Sequence, residues 1–596
     1  MDARGGAPGG TSAARFFAAA LTVVTGLGAT SLFLQYGSAD GLDAVDVLRA
    51  LLIFGSTTWL AWGASQGLIG LWPRRIARSS GGPVQGRTVV LVPVYNEDPV
   101  VTFARVAAMD ASVRAVLPQA TVHFAILSDT RDPAIARDEA RWFARLMRDI
   151  DGAGRLFYRR RDDNSGKKAG NIEDFIRRSG AAYDYAVILD ADSLMEGGTI
   201  AEMIRRIEAE PGLGLLQTLP KVVRARSRFG RAMQFAASFY SPVFARGLAR
   251  MQGRTGPFWG HNAIVRVRAF AESCGLPVLS GKPPFGGHIL SHDYVEAALL
   301  ARAGWEVRLD EDLEGSFEEG PENIVDHAKR DRRWAQGNLQ HARLVGAPGL
   351  KGWSRLVFLQ GIMAYVAPLF WAGFLLASIA DAMRPHVPDY FPDTYQLFPV
   401  FPSDETAKAV GLAIGIFGML VMPKLSIVVE AVLTGRARGF GGGLTALVST
   451  VSELLLSSLI APLMLMYQSR SVLQILAGRD GGWPPNNRGD GQIGLADAWA
   501  ASRFIVGFGL AGLLTVWYLA PALTVWMIPV GGPMLLAPFL IAWSSRPAPG
   551  TRLYTVPTDG ETPAIVAAHD HVLQYWTRAV PAGETDDDRP SEPVYA

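Results

Sequence analysis

Two aspartates flanking one small residue, Asp190-Ala191-Asp192, follow directly on the apolar run Tyr185-Ala186-Val187-Ile188-Leu189. Two carboxylates just past a buried strand can hold a hard divalent cation, and the cation can hold a diphosphate. A metal so placed neutralises charge on a leaving group. The same arrangement recurs upstream. Val122–Leu127 ends at Ser128-Asp129, and Thr88–Val94 ends at Tyr95-Asn96-Glu97. Further along stand Ser291-His292-Asp293 and Arg330-Asp331-Arg332-Arg333-Trp334. A carboxylate in reach of a hydroxyl can take its proton as that hydroxyl attacks. Arginines offer planar donors to phosphate oxygens. A bland alternative accompanies each: solvated Asp pairs are common in loops, and Ser and Asp also cap helices.

These residues need a scaffold, and the stretch from about Gly86 to Leu344 supplies one. Strand-like runs at Thr88–Val94, Val122–Leu127, Ala186–Leu189 and Leu213–Leu216 alternate with helical stretches. That is a doubly wound α/β pattern. Ligands of such sheets sit beyond the carboxyl ends of the strands, so Asn96, Glu97, Asp129, Asp190 and Asp192 are expected to converge. The sequence has no Walker-type loop and no G-x-G-x-x-G after the first strand, so a nucleotide must be held by another device. The single cysteine, Cys274, excludes an intramolecular disulfide and a Cys-rich metal site and is read as core. A net charge of +2 gives no support to nucleic-acid or other polyanion binding.

Hydrophobic residues make up 49% of the 596, and they concentrate toward the two ends. A bilayer core takes about 20 apolar residues as helix. Candidate spans run from about Phe16 to Gln35 and from about Val47 to Trp72. The first is too long for a signal-peptide core and reads as a span. Asp40, Asp43 and Asp46 lie between the two, and Arg74, Arg75 and Arg78 follow, which puts the central domain in the cytoplasm. After it come about Leu356 to Ile379 and about Val410 to Leu433, joined by a segment with Asp381, Asp389, Asp393, Asp404 and Glu405 that reads as external. Leu444–Gln468 has basic flanks on both sides, Arg436 and Arg438 before it and Arg470 and Arg479 after. Thr445, Ser449, Ser452, Glu453 and Ser457 form a polar stripe along it. It is read as a helix at the interface or lining a cavity, the alternative being a span with a polar packing face. Phe504 to Trp543 is long enough for two short spans, with Pro529, Gly531, Gly532 and Pro533 as the turn. Six spans result, with both ends cytoplasmic. The expected units are residues 1–85, 86–345, 346–546 and a polar cytoplasmic tail, 547–596, with Glu584, Asp586, Asp587 and Asp588 near a disordered tip.

The ordered set Ser128-Asp129, Asp190-Ala191-Asp192, Ser291-His292-Asp293 and Arg330-x-x-Arg333-Trp334 resembles the processive inverting glycosyltransferases of family 2, the group of cellulose and hyaluronan synthases. Lys167-Lys168-Ala169-Gly170-Asn171 resembles that family's K-A-G-N segment. Phe258-Trp259-Gly260-His261-Asn262 resembles its acceptor-site turn. Ile126–Thr130, Gly286–Tyr294 and Arg332–His341 are similar to the glucans biosynthesis glucosyltransferase H family, where an Arg, here Arg330, stands in the Gln position of Q-x-x-R-W.

The resemblance implies a GT-A-like nucleotide-sugar-binding domain inserted between transmembrane helices. The implied donor is UDP-glucose, and the product is the β-(1→2) backbone of osmoregulated periplasmic glucans, exported across the inner membrane. Asp293 would be the base and Asp192 the ligand of a divalent cation, Mg2+ or Mn2+, with Asp190 on the ribose or supporting the metal. Tyr95, Glu97, Asp129, Lys168, Arg330 and Arg333 would bind the nucleotide-sugar, and Trp259, Gly260, His261 and Trp334 the acceptor. Cellulose synthase also suggests an interfacial helix at Leu444–Gln468 leading into a gating loop, Leu473–Trp483, hinged at Gly478, Gly481, Gly482, Pro484 and Pro485. Implied partners are the growing glucan, the lipid bilayer, an acyl carrier protein and a periplasmic glucan-processing protein. The short N-terminal region implies loss of functions attached to longer ones. The chemistry needs no nucleophilic Ser or Cys. Other readings are a synthase of a different exported polymer, a transferase with a lipid acceptor, and a transporter or receptor with a degenerate transferase domain. The last predicts loss of a catalytic Asp, and all four are present.

Overall fold

A computed structural model describes residues 10–37, 42–74, 76, 82–384, 406–479, 491–548, 550 and 552–578. At its centre lies β1 (Thr88–Val94), whose β-branched run is buried on both faces, as a central parallel strand must be. The chain steps outward through β2 (Val122–Ser128) and β3 (Leu156–Arg160), then returns to the other side of β1 with β4 (Tyr185–Ile188). This reversal is a topological switch point, and it opens a crevice past the carboxyl ends of β1 and β4. Asp98 and Asp132 sharpen that rim. Each caps a helix whose first residue is proline, Pro99–Val116 and Pro133–Asp149, just after β1 and β2 end.

Beyond β4 the sheet becomes mixed. Its order is β3-β2-β1-β4-β8-β6-β9, with β6 (Leu213–Gln217), β8 (Ala263–Arg266) and β9 (Glu306–Leu309). β8 inserts antiparallel between β4 and β6, while β6 and β9 pair in parallel. A second sheet joins β5 (Leu194–Met195), β10 (Ser316–Glu319) and β7 (Lys221–Val223). β3, β8 and β9 escaped the sequence reading because each is only four or five residues long and contains arginine. One face of the large sheet packs on Phe103, Met109, Leu146, Ile200 and Ile204, and the other on Ile172, Phe175, Phe270 and Leu300. Full burial of such side chains stabilises by about 1.5–3 kcal/mol each. Cys274 is buried in the second layer, as expected.

Among the described residues, six helices are long and apolar enough to cross a membrane: Thr11–Gly37, Ala44–Gly70, Gly352–Ala382, Thr406–Leu433, Gly443–Leu476 and Leu495–Leu519. A bent pair, Thr524–Leu535 and Ala537–Ser544, meets at 55°. The turn expected at Pro529–Pro533 is therefore displaced. The chain breaks at Ala520, and again at Leu536, while Pro529, Gly531, Gly532 and Pro533 lie inside Thr524–Leu535. Gly531 serves close packing there, since a Cβ on it would stand 2.5 Å from Leu513 Cγ.

Leu444–Gln468 belongs to the single helix Gly443–Leu476, which has the length and composition of a span. Its polar stripe is satisfied by protein. Glu453 takes Lys424 at 2.6 Å and Ser457 at 2.6 Å, and Ser452 meets the Tyr554 hydroxyl at 2.9 Å. The proposed gating loop starts later than expected, because Leu473–Leu476 closes that helix. Gly478 and Arg479 follow it. Gly481, Gly482, Trp483, Pro484 and Pro485 lie outside the described residues, as do Asp40, Arg75, Arg78, Asp389, Asp393, Asp404, Glu405 and the acidic cluster Glu584–Asp588.

The segment after Arg546 is more than a polar tail. Tyr554 and Val556 enter a core shared with the membrane helices, and Ile565, Val566 and Trp576 enter the core of the large sheet. Trp576 Nε1 donates to Asp149 at 2.7 Å.

Helix Ser241–Gln252 crosses the membrane helix Ala44–Gly70 at close range. A Cβ on Gly247 would fall 1.9 Å from the Gln66 carbonyl oxygen, whereas one on Gly63 would meet nothing within 4 Å. Gly247→Val should destabilise the detergent-solubilised protein by about 2–4 kcal/mol, because backbone cannot move aside as a side chain can. Gly63→Ala should melt within a few degrees of the parent. A thermal melt of both variants checks this contrast.

Candidate active site

The helix Lys167–Ser179 ties two of the strand-end aspartates together. From its first turn Lys168 pairs with Asp190, and its Nζ also donates to the Gly260 carbonyl at 2.7 Å. One helical turn on, Asn171 Nδ2 donates to Asp129 Oδ1 at 3.0 Å and to the Leu127 carbonyl at 3.0 Å. Residues three apart on a helix share a face, which lets one element reach both β2 and β4. Arg161 completes the grip on Asp129, with Nη2 at 2.8 Å from Oδ2.

Behind Asp129 sits a buried carboxylate that the sequence reading missed. Glu139 accepts from Ser128 at 2.6 Å, Thr130 at 2.5 Å and Tyr158 at 2.8 Å. Its three hydroxyl partners fix the Ser128-Asp129-Thr130 corner from beneath. Thr130 Oγ1 in turn accepts the Asn96 N–H at 2.9 Å, with Asn96 in the left-handed region at φ 52°. Tyr95 is half-buried beside it, and Glu97 lies close enough to attract Arg333.

Asp190 and Asp192 occupy a tight turn, with Asp190 N–H donating to Ser193 Oγ at 3.0 Å and Ser193 N–H to the Asp190 carbonyl at 3.1 Å. Crowding by protein would raise the Asp190 pKa, but Lys168, and behind it His261 and Arg330, hold it well below the usual carboxylate range. Glu318, on β10, was also missed. Its carboxylate lies 3.6 Å from His261 Nε2. Burial pushes its pKa up; His261 opposes the rise and the Asp192 carboxylate adds to it. Negative charge thus accumulates around Asp192, which is the setting a divalent cation relieves. Among the described residues no three His, Cys, Asp or Glu side chains converge closely enough to cage a metal alone. A divalent cation at such an open carboxylate site would keep part of its shell for water.

Asp293 stands in the first turn of helix His292–Ala303. It abuts the acceptor-type turn, since a Cβ on Gly260 would lie 3.5 Å from the Asp293 Cβ. Gly260 therefore touches Asp293 on one side and Lys168 on the other, and φ 84° there suits glycine alone. Burial pushes the Asp293 pKa up, partly offset by His292, while Glu296 adds to the rise. His292 Nδ1 is 3.1 Å from Glu296 Oε2. Burial alone would lower the His292 pKa, but the Glu296 carboxylate turns the net shift upward.

The turn Trp259-Gly260-His261 is itself pinned by Gln217, a residue the sequence reading passed over. Gln217 Oε1 accepts from Trp259 N–H at 3.1 Å, and its Nε2 donates to the His261 carbonyl at 3.0 Å. The Arg330 guanidinium lies 5.2 Å from the Trp334 ring centroid, within cation–π range. Trp334 is 46% exposed, so a flat face remains open. Arg333 is half-buried; burial, then the like charge of Arg330, lowers its pKa. His341 Nε2 meets the Ser291 carbonyl at 2.9 Å and so braces the loop before Asp293. Among these missed residues only Asn171 carried a signal, its place in Lys-Lys-Ala-Gly-Asn. Glu139, Arg161 and Glu318 sit in ordinary charged runs.

Residues 89–273 match the family described as Glycosyl transferase family 2, and residues 185–420 match Glycosyl transferase family group 2. A protein of Cereibacter sphaeroides named Glucans biosynthesis glucosyltransferase H is 62% identical over 577 residues, 96% of this chain and 97% of that protein. The chain belongs to the glucans biosynthesis glucosyltransferase H family. Members bearing that name in Rhodopseudomonas palustris and Vibrio cholerae are each 40% identical, over 93% and 89% of this chain and 77% and 75% of theirs. Among solved structures, GalNAc-T7 with UDP, GalNAc and Mn2+ matches at TM-score 0.26 and 12% identity, over 49% of this chain and 58% of that one. As a member of the glucosyltransferase H family, this is a multi-pass membrane glycosyltransferase of glucan biosynthesis with a GT-A-like domain.

Lys168 can be tested apart from folding. Lys168→Met keeps the length of the side chain and removes the charge that pairs with Asp190 and reaches the Gly260 carbonyl. Nucleotide titration should show at least about tenfold weaker binding, equivalent to about 1.4 kcal/mol. The melting temperature should stay within a few degrees.

Proposed function

We propose that this glucosyltransferase H family member takes glucose from UDP-glucose at the cleft beyond β1, β2 and β4. It adds the glucose to a growing β-(1→2) glucan and passes the chain outward between its membrane helices. The catalytic domain would face the cytoplasm and the membrane would be the inner membrane. The observation that carries this reading is the linkage of Asp129, Asp190, Gly260 and Asp293 through one helix and one turn.

The proposed step is a single displacement. The acceptor hydroxyl oxygen bonds to the anomeric carbon of glucose, the bond from that carbon to the diphosphate breaks, and UDP leaves with the electron pair. Asp293 accepts the hydroxyl proton on its carboxylate. Burial favours that role, because it raises the proton affinity of the base toward neutrality. Asp129 and Asp190, with Tyr95 and Glu97, hold the nucleoside end. Lys168, Arg330 and Arg333 donate to diphosphate oxygens. Asp192, supported by Asp190, would hold the divalent cation, which when bound neutralises charge on the departing diphosphate. Trp334 offers its face to the C–H surface of the acceptor sugar. Trp259, Gly260 and His261 wall the acceptor beside Asp293.

Helix Ile324–Gln340 supports coupling to export. It carries Arg330, Arg333 and Trp334, and it packs against the membrane helices Gly352–Ala382 and Gly443–Leu476.

Purified protein should consume UDP-glucose in preference to other labelled UDP-sugars, and linkage analysis of the polymer should return 2-substituted glucose. Another linkage or a lipid-linked product would point to one of the other acceptor readings. EDTA should abolish turnover, and Mg2+ or Mn2+ should restore it.

Asp293→Asn should lower turnover by about 10²–10⁴-fold while nucleotide affinity changes little. The pH profile gives a second check. A base works deprotonated, so activity falls as pH drops through its pKa. The raised pKa of Asp293 puts that acid limb above the ordinary carboxylate value of about 4. The residual activity of Asp293→Asn should lack the limb.

A further inference from the structure

β10 presents two adjacent glutamates to opposite sides, as alternation along a strand requires. Glu318 turns toward His261 and Asp192. Glu319 turns away and accepts from two arginines, Arg105 Nη2 at 2.8 Å and Arg224 Nη1 at 3.1 Å. Arg105 is 3% exposed and has a second contact: its Nη1 donates to the carbonyl of Ala191 at 3.0 Å. Ala191 is the residue between Asp190 and Asp192. A buried guanidinium thus clamps the backbone of the acidic turn.

The other end of this chain of contacts lies in the segment that follows the last membrane helix. Arg224 Nη2 meets His569 Nδ1 at 2.7 Å and pairs with Asp570. His569 Nε2 meets the Val101 carbonyl at 3.2 Å, one turn before Arg105 on the same helix. An arginine can only donate, so His569 Nδ1 accepts and its proton sits on Nε2, where it reaches Val101. Burial, then the charges of Arg224 and Arg105, pushes the His569 pKa down to about 4, in keeping with the neutral ring. Arg224 is also held at φ 63°, a left-handed conformation that a side chain rarely adopts without surrounding support. Beside it lies a cavity of about 510 Å³ between Arg226, Arg231, Asp559 and Asp570. The tail contacts are therefore what keeps Arg224 from swinging away.

We propose that the C-terminal helix Ala564–Arg578 is a positioning element of the active site, acting through His569 and Asp570 on Arg224, then Glu319, then Arg105, to fix the carbonyl of Ala191 and so the spacing of Asp190 and Asp192. These are positioning residues, none of which touches substrate. The proposal rests on the reading of Asp190 and Asp192 as the residues that hold the donor and its cation. It adds that the tail, which follows the last membrane helix, completes the site rather than decorating it.

The test is amide hydrogen exchange on the full-length protein in detergent, without metal or nucleotide. Arg224→Gln, His569→Ala and Asp570→Asn should each speed exchange at residues 190–193 by at least about fivefold. Exchange in Val89–Val92 of β1 should not change. Trp576→Phe, which removes the bond to Asp149 but leaves the relay, should lower the melting temperature without speeding exchange at 190–193. His569→Ala and Asp570→Asn carry the test if Arg224→Gln does not accumulate folded. Unchanged exchange at 190–193 in those variants would overturn the proposal, as would an equal rise in Trp576→Phe. Half-saturating Mn2+ for nucleotide binding should rise in step with the exchange. The exchange readout needs no donor, so failure of the parent protein to use UDP-glucose would contradict the proposed function and leave this result to be judged separately.

Discussion

One ammonium group carries the site. Lys168 links Asp190 to the turn at Gly260, and Gly260 in turn lies beside Asp293. Acidic side chains packed into one crevice repel one another, and each loses hydration there. Without a cation among them they would protonate or separate. Lys168 pairs with Asp190 and keeps it charged, and Arg161 pairs with Asp129. Glu318, buried and close to Asp192, adds to the negative field there.

The cleft is joined to the membrane by a helix with two working faces. On Ile324–Gln340, Arg330 and Arg333 lie near Asp190. Asp331 accepts from Gln468 at 2.9 Å, and Arg332 bonds Gln474, both on the membrane helix Gly443–Leu476. Burial pushes the Asp331 pKa up, with Gln468 and Tyr365 opposing the shift through hydrogen bonds. Below that helix Asn338 meets Gly361 so closely that a Cβ there would fall 2.2 Å from Asn338 Oδ1.

The parts of the fold that were legible in the sequence are those with strong local signals. The buried strands β1, β2, β4 and β6 are short apolar runs ended by polar residues, and the long apolar helices announce themselves by length. The unread parts depend on tertiary context. β8 is four residues, stabilised by pairing with strands on both sides, and β3 is an edge strand whose arginines look like loop. The Pro529–Pro533 cluster reads as a turn locally, yet the close approach of Leu513 makes Gly531 a contact residue. The same logic applies to the site. Aspartates at strand ends stand out because strands point them at one rim, and the structure links Asp129, Asp190 and Asp293 through Lys168, Asn171 and Gly260. Glu139, Glu318 and Gln217 act from other elements, and only folding brings them to those aspartates. The tail read as polar from composition because its apolar residues, among them Ile565, Val566 and Trp576, are interrupted by polar ones and form no long run.

The central claim is that the strand-end aspartates form one donor cleft around Lys168. A cryo-EM map of the full-length protein with UDP and Mn2+ tests it most directly. The account predicts UDP density at the carboxyl ends of β1, β2 and β4, with Asp192 on the metal and the metal on the diphosphate. Lys168 should reach a phosphate oxygen at about hydrogen-bond distance, and Asp293 should face the position of the anomeric carbon. UDP bound elsewhere, or metal held away from Asp192, would contradict it.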